Sequence, residues 1–238
     1  MSRPIGFSTG ALAYADFRRG LDLTRDAGCA VVELSALRQA ELVPMLDALD
    51  SLDLSGFRYI SIHAPSKMDA SFETEAARLL MRLLPRRWPI VVHPDALTDF
   101  TLWREFGDLL CVENMDKRKP IGRSAAELKP IFDQLPDASL CFDIGHARQI
   151  DTTMTESYII LREFGSRLRQ VHVSEVATAS KHDRLSFVSI WGFAEVANMI
   201  PEDVPLILET PVTTLDQMRD EMEKTHRALP IPELTKVA

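Results

Sequence analysis

Nine side chains that can bind a cation or carry a proton recur at one kind of place in this sequence, at or just beyond the end of a short apolar run. They are Glu33, His63, His93, Glu113, Asp143, His146, His172, His182 and Glu209. Residues 140–150, LCFDIGHARQI, display the pattern most fully: an apolar run ends in Asp143, and His146 follows a glycine expected to let the chain turn. A lone histidine in such a position is usually a hydrogen-bonded structural group. Several histidines and carboxylates converging from separate runs are another matter, because buried together they repel or stay unpaired unless positive charge lies between them. A divalent metal supplies that charge. Imidazole with carboxylate suits zinc, manganese, iron or cobalt better than calcium, magnesium being a further candidate ion, and the lack of thiolate ligands excludes a zinc-finger type of site.

The elements that must position these residues follow from the patterning. Apolar runs at 5–9, 30–34, 59–63, 89–93, 109–114, 140–143, 170–174 and 204–209 predict strands. Helical spacing over 14–27, 37–49, 72–84, 98–106, 124–134, 155–164, 188–199 and 214–228 predicts a helix after each. Gly28 reads as a stop, Ser35 as the start of the second helix with Pro44 an early interruption, and Ser124 with Glu127 as a capping box. Strictly alternating strands and helices imply a parallel sheet with right-handed crossovers. Eight units in 238 residues predict one α/β domain over 1–238, a closed (β/α)8 TIM barrel, with residues 230–238 a frayed end. In a barrel all the strand C-termini meet at one mouth, so the nine residues become neighbours.

Composition narrows the classes. Twenty-seven Lys and Arg against 35 Asp and Glu give a net charge of −8, which disfavours non-specific binding to a phosphate backbone. Cys29, Cys111 and Cys141 sit in or beside apolar runs without CxxC spacing and read as reduced, buried residues. Neither a signal-peptide core nor a membrane-length apolar run is visible, so a soluble, cytoplasmic protein is expected. Dinucleotide-binding, P-loop and nucleophile-elbow motifs are missing as well.

The strand ends IHAPSK, VVHPD, VENMD, LCFDIGHA, VHVSE and LILETP resemble, in order and register, those of the xylose-isomerase-like TIM barrels, a superfamily that includes sugar isomerases, ketose epimerases and endonuclease IV. The resemblance covers nearly the whole chain. It implies a metal held by Glu113, Asp143, His172 and Glu209. In the isomerases and epimerases the metal grips a sugar while two glutamates, here Glu113 and Glu209, move a proton, and His146 contacts substrate or a further metal. In endonuclease IV, added histidines hold three zinc ions that cleave a DNA phosphodiester. His63, His93 and His146 match these, and His182 matches the last, but the acid expected two residues before it is Ser180. One to three ions are therefore implied. The expected activity is a metal-dependent sugar or sugar-phosphate isomerase or epimerase, with an endonuclease IV-like di- or trinuclear phosphodiesterase as the alternative.

Weaker candidates surround these. Lys67, Lys181 and Arg184 are positioned to neutralise a substrate phosphate or carboxylate, although such lysines are mostly just solvated. Glu33 is a candidate for a substrate hydroxyl or for a neighbouring cation, Asn114 for substrate, and Trp191 for a sugar-stacking platform, whereas Trp88 and Trp103 read as packing. The expected partner is a small sugar. Nucleic acid is disfavoured, no membrane is expected, and self-association through the outer helices is an open expectation.

Overall fold

The computed structural model describes residues 3–231; most of the 230–238 tail expected to fray, residues 232–238, lies outside them, as do residues 1 and 2. Eight strands, β1 (Ile5–Ser8), β2 (Val31–Ser35), β3 (Tyr59–His63), β4 (Ile90–Val92), β5 (Leu110–Glu113), β6 (Ser139–Asp143), β7 (Leu168–Val173) and β10 (Leu206–Leu208), close into a barrel. Every pairing in it is parallel, each strand lying beside its sequence neighbour and β10 closing against β1. The chain is thus a single (β/α)8 TIM barrel over its described residues.

Outside run α1 (Thr9–Ala13), α2 (Phe17–Asp26), α3 (Gln39–Ala48), α4 (Ala70–Met81), α5 (Phe100–Arg104), α6 (Ala125–Gln134), α7 (Ile144–Ile150), α8 (Thr155–Phe164), α9 (Phe187–Ala194) and α10 (Leu215–Ala228). Leu34, Ile62, Val112, Leu140, Phe142, Val171 and Leu208 point outward into the helix layer and form one continuous core with it. Val91, Cys111 and Cys141 form a separate cluster on the other face, inside the barrel. Because side chains alternate along a strand, the residue two beyond each of these points the same way. His93, Glu113 and Asp143 therefore stand one layer above Val91, Cys111 and Cys141. Burial pushes the Cys111 thiol up to about 12, and this layer forms the floor beneath them.

Several expectations change. The first helix is two: Thr9 opens α1, and the chain breaks at Tyr14, whose φ of 51° ends it before Asp16 caps α2 by accepting the Arg19 N–H. Ser35 ends β2 instead of starting a helix; α3 begins after Arg38, with Glu41 accepting the Leu37 and Arg38 N–H groups. Pro44 does not interrupt α3, which runs through it, since the missing N–H removes a single i−4 bond. Finally, a two-stranded antiparallel hairpin, β8 (Glu175–Val176) with β9 (His182–Asp183), rises beyond β7. Strands of two residues are too short for a periodicity signal.

Candidate metal centre

Most site residues end or directly follow a barrel strand, whereas His146 stands on α7 and His182 on the hairpin. Asp143 is both the last residue of β6 and the N-cap of α7: its Oδ1 accepts the His146 N–H at 2.6 Å, which leaves Oδ2 facing the barrel axis without a hydrogen-bond partner. Gly145, expected to make a turn, lies inside α7. Its role is clearance, because a Cβ there would stand 2.3 Å from the Ser174 carbonyl oxygen. His63 donates from Nδ1 to the Ala64 carbonyl at 2.7 Å, which turns Nε2 toward Glu113 Oε2 at 3.2 Å. His93 Nε2 reaches the same oxygen at 3.3 Å. On the other side Glu113 Oε1 lies 3.3 Å from His146 Nδ1 and 3.5 Å from His172 Nδ1. Glu113 thus presents one oxygen to His63 and His93 and the other to His146 and His172.

Ligand-capable atoms gather into overlapping groups, each with all its atoms within 4.8 Å of one another. One is Glu113, Asp143, His172 and Glu209; a second is His63, His93 and Glu113; a third is Asp143, His146 and His182. His63, His172 and Glu209 form a further such set. Asp143 and Glu209 therefore meet at the mouth. The donor set fits a divalent cation on a local observation: Asp143 Oδ2 and His172 Nδ1 are buried polar atoms with no hydrogen-bond partner in the protein. Such orphans are rare unless something else satisfies them.

The charges are strongly interdependent. Burial alone would lower the pKa values of His63 and His146. Instead, the hydrogen bond and charge of Glu113, with Glu33, raise His63 to about 9, and Asp143 with Glu113 raises His146 to about 10. Burial pushes Asp143 up to about 6 against the pull of His146. Glu113, although buried, is held well below the usual carboxylate range by His172 and His93. His182 falls to about 4, through burial and the neighbouring charge of His146.

A cavity of about 870 Å³ opens above these groups. Lys67 and Lys181 line it from the loops after β3 and β7, strands that stand opposite each other in the eight-strand ring. Tyr14, Leu37 and Met68 add apolar wall. Other candidates are elsewhere. Glu33 is completely buried within the barrel, its Oε2 accepting from Ser61 Oγ, Gln170 Nε2 and His172 Nε2, so it orients His172 instead of meeting substrate. Asn114 is consumed by the backbone of Asp143, donating to its carbonyl and accepting its N–H, both at 2.8 Å. Arg184 turns outward onto α10, paired with Asp220 and Glu221. Trp191 is exposed on α9 against Phe187 and does not line the cavity.

Asp116, Arg118, Lys119 and Asp95, none of them marked by the strand-end pattern, line the same cavity as two ion pairs, Asp116 with Arg118 and Asp95 with Lys119. Hydrogen bonds from Arg118 overcome burial and hold the Asp116 carboxyl well below its ordinary value. The available signal was the charged run DKRK directly after VENM, at a strand end already marked by Glu113.

No protein-family model matches the chain. Over 198 residues it is 25% identical to "Probable endonuclease 4" of Mycoplasma genitalium, a match covering 76% of this chain and 63% of that relative. The chain thus spans less than two thirds of that curated relative's length. Among solved structures, endonuclease IV from Thermus thermophilus superposes with a TM-score of 0.63 at 18% identity, over 94% of this chain and 99% of the other. A xylose isomerase-like TIM barrel protein from Mycobacterium smegmatis in complex with magnesium gives 0.60 at 13% identity, over 95% and 96%. The 3-keto-D-glucoside 4-epimerase of E. coli gives 0.58 at 10%, over 95% and 99%. The protein described here therefore has the barrel fold shared by endonuclease IV, xylose isomerase-like proteins and a sugar epimerase.

Proposed function

We propose that this protein is a divalent-metal-dependent hydrolase of phosphate esters. The observation that carries the reading is the His63, His93 and Glu113 group, joined to the group of Glu113, Asp143, His172 and Glu209 through the two oxygens of Glu113. Proton transfer on a sugar needs only the four-residue group; a second set of ligands beside it has a use in hydrolysis. Bound divalent ions there would polarise a phosphoryl oxygen and lower the pKa of water. Glu113 holds both ligand sets in register, Glu33 fixes the ring of His172, and Lys67 and Lys181 neutralise substrate charge from opposite sides. The metal itself is zinc, manganese or another of the ions suited to imidazole and carboxylate.

Elemental analysis of protein purified without chelator tests this. Two or more ions per chain are expected, with one fewer in His93→Ala, together with hydrolysis of bis(4-nitrophenyl) phosphate that the variant loses by at least about 100-fold. A single ion that His93→Ala leaves in place overturns the reading.

The sugar isomerase or epimerase reading keeps one specific support. Glu113 and Glu209 both border the cavity and share the four-residue group with Asp143 and His172, which is the arrangement for a base and an acid beside a polarised carbonyl. Solvent deuterium incorporation into a panel of ketoses is its measurement.

A further inference from the structure

Away from the mouth, one outer helix is unlike the others. The α9 segment FVSIWGFA has no charged residue, whereas every other described helix of eight residues or more carries at least two. A helix in the outer layer normally turns a charged face to water. Instead, α9 buries Ser189, Ile190 and Phe193 and leaves Phe187, Val188 and Trp191 66, 62 and 64% exposed. Spaced i, i+1 and i+4, these three share one face, with the Phe187 and Trp191 rings 5.9 Å apart. Together they leave roughly 350 Å² of largely apolar surface open, close to half of what one partner buries in a standard interface, where a polar rim completes an aromatic centre.

The rim of this face holds one charge of each sign. Arg148 of α7 lies across Gly192: a Cβ there would stand 3.0 Å from its Nε and 3.4 Å from its Cδ, so a glycine that weakens the middle of a helix makes room for this side chain. Its Nε is buried without a hydrogen-bond partner, and no carboxylate pairs with its guanidinium among the described residues. Glu195, one turn beyond Trp191, continues the helical path of α9 and is exposed and equally unpaired among them. An apolar centre flanked by one free cation and one free anion is complementary to itself: a second copy turned about a twofold axis sets Arg148 of each chain toward Glu195 of the other as the aromatic centres meet. A lipid surface fits less well, because this face has no net positive charge and the chain stands at −8, with nothing to draw anionic headgroups. We propose that the protein forms a twofold dimer through the exposed face of α9, with Phe187, Val188 and Trp191 at the centre and Arg148 and Glu195 paired across it.

Sedimentation velocity of the full chain at about 1 to 100 µM tests this. Wild type is expected to pass from monomer to dimer within that range. Trp191→Glu is expected to weaken the association at least about 30-fold, as the loss of a central aromatic anchor does. Arg148→Glu and Glu195→Arg are each expected to weaken it about tenfold by setting like charges together, and the double variant to recover most of that loss, which a purely apolar contact does not do. Circular dichroism confirms that each variant is folded. A wild type still monomeric at about 100 µM overturns the proposal; flotation with vesicles of phosphatidylcholine and phosphatidylserine then shows whether a lipid surface takes this face. A dimer that survives Trp191→Glu, or a double variant that associates no more tightly than the single ones, overturns it as well.

Discussion

At the scale of single residues, the site depends on groups that never touch a substrate. Glu33 accepts from His172 Nε2 at 3.1 Å, which fixes the ring so that Nδ1 faces Glu113 and Glu209 at 3.5 and 3.7 Å. A carboxylate behind a ligating imidazole also raises its basicity, and losing one typically weakens metal binding about 10 to 100-fold. Glu33→Gln, nearly the same shape, is expected to weaken the tightest-bound ion by a factor in that range, measured by competition with a chromogenic chelator. An unchanged affinity would show that packing alone orients His172. Asn114 acts similarly by clasping both backbone polar groups of Asp143, so the residue after Glu113 sets the position of an acid on the next strand.

At the scale of elements, a buried side chain ties one helix to the segment that leads into the next. Glu73 of α4 is buried, and its carboxylate accepts the N–H groups of Thr98 and Asp99, the Trp103 indole N–H at 2.9 Å and the Thr98 hydroxyl, which anchors the segment leading from β4 into α5. Burial by itself would raise its pKa, but these donors outweigh it and hold it below the ordinary value. A depressed carboxyl contributes stability that is present above its unfolded pKa of about 4.3 and is lost as pH falls through the folded value. Glu73→Gln is therefore expected to cost roughly 1–3 kcal/mol at pH 7, with the gap from wild type narrowing below about pH 4. Urea unfolding midpoints across that range measure it; a gap independent of pH would assign the effect to shape and not to charge.

At the scale of the whole molecule, Arg3 joins the two ends of the described chain at the barrel. Its guanidinium is buried and donates to the carbonyls of Ala197, Ile200, Pro201 and Leu229, the last 226 residues away. Burial lowers its pKa, yet an arginine stays charged at any ordinary pH. Arg3→Met keeps the bulk but strands several buried acceptors, and about 3 kcal/mol of stability should be lost, read as a lower denaturation midpoint with an unchanged slope. A loss below about 0.5 kcal/mol would mean that water replaces the guanidinium. No described helix is long and apolar enough to cross a membrane. By itself the sequence determined the barrel and named most of the residues whose ligand-capable atoms gather at its mouth, because short apolar runs alternating with helical spacing are local signals and a parallel barrel brings every strand end to one rim. The hairpin carrying His182, the burial of Glu33, the capture of Asn114 and Arg184 and the exposure of Trp191 were decided only in three dimensions. For the captured and buried side chains the partner is distant in the chain, 29 residues away for Asn114, 37 for Arg184 and 139 for Glu33, and no local pattern encodes that. The same holds for the ligand groups: residue types named the donors, but only tertiary packing spent one oxygen of Asp143 on a helix cap and turned the two oxygens of Glu113 toward different neighbours.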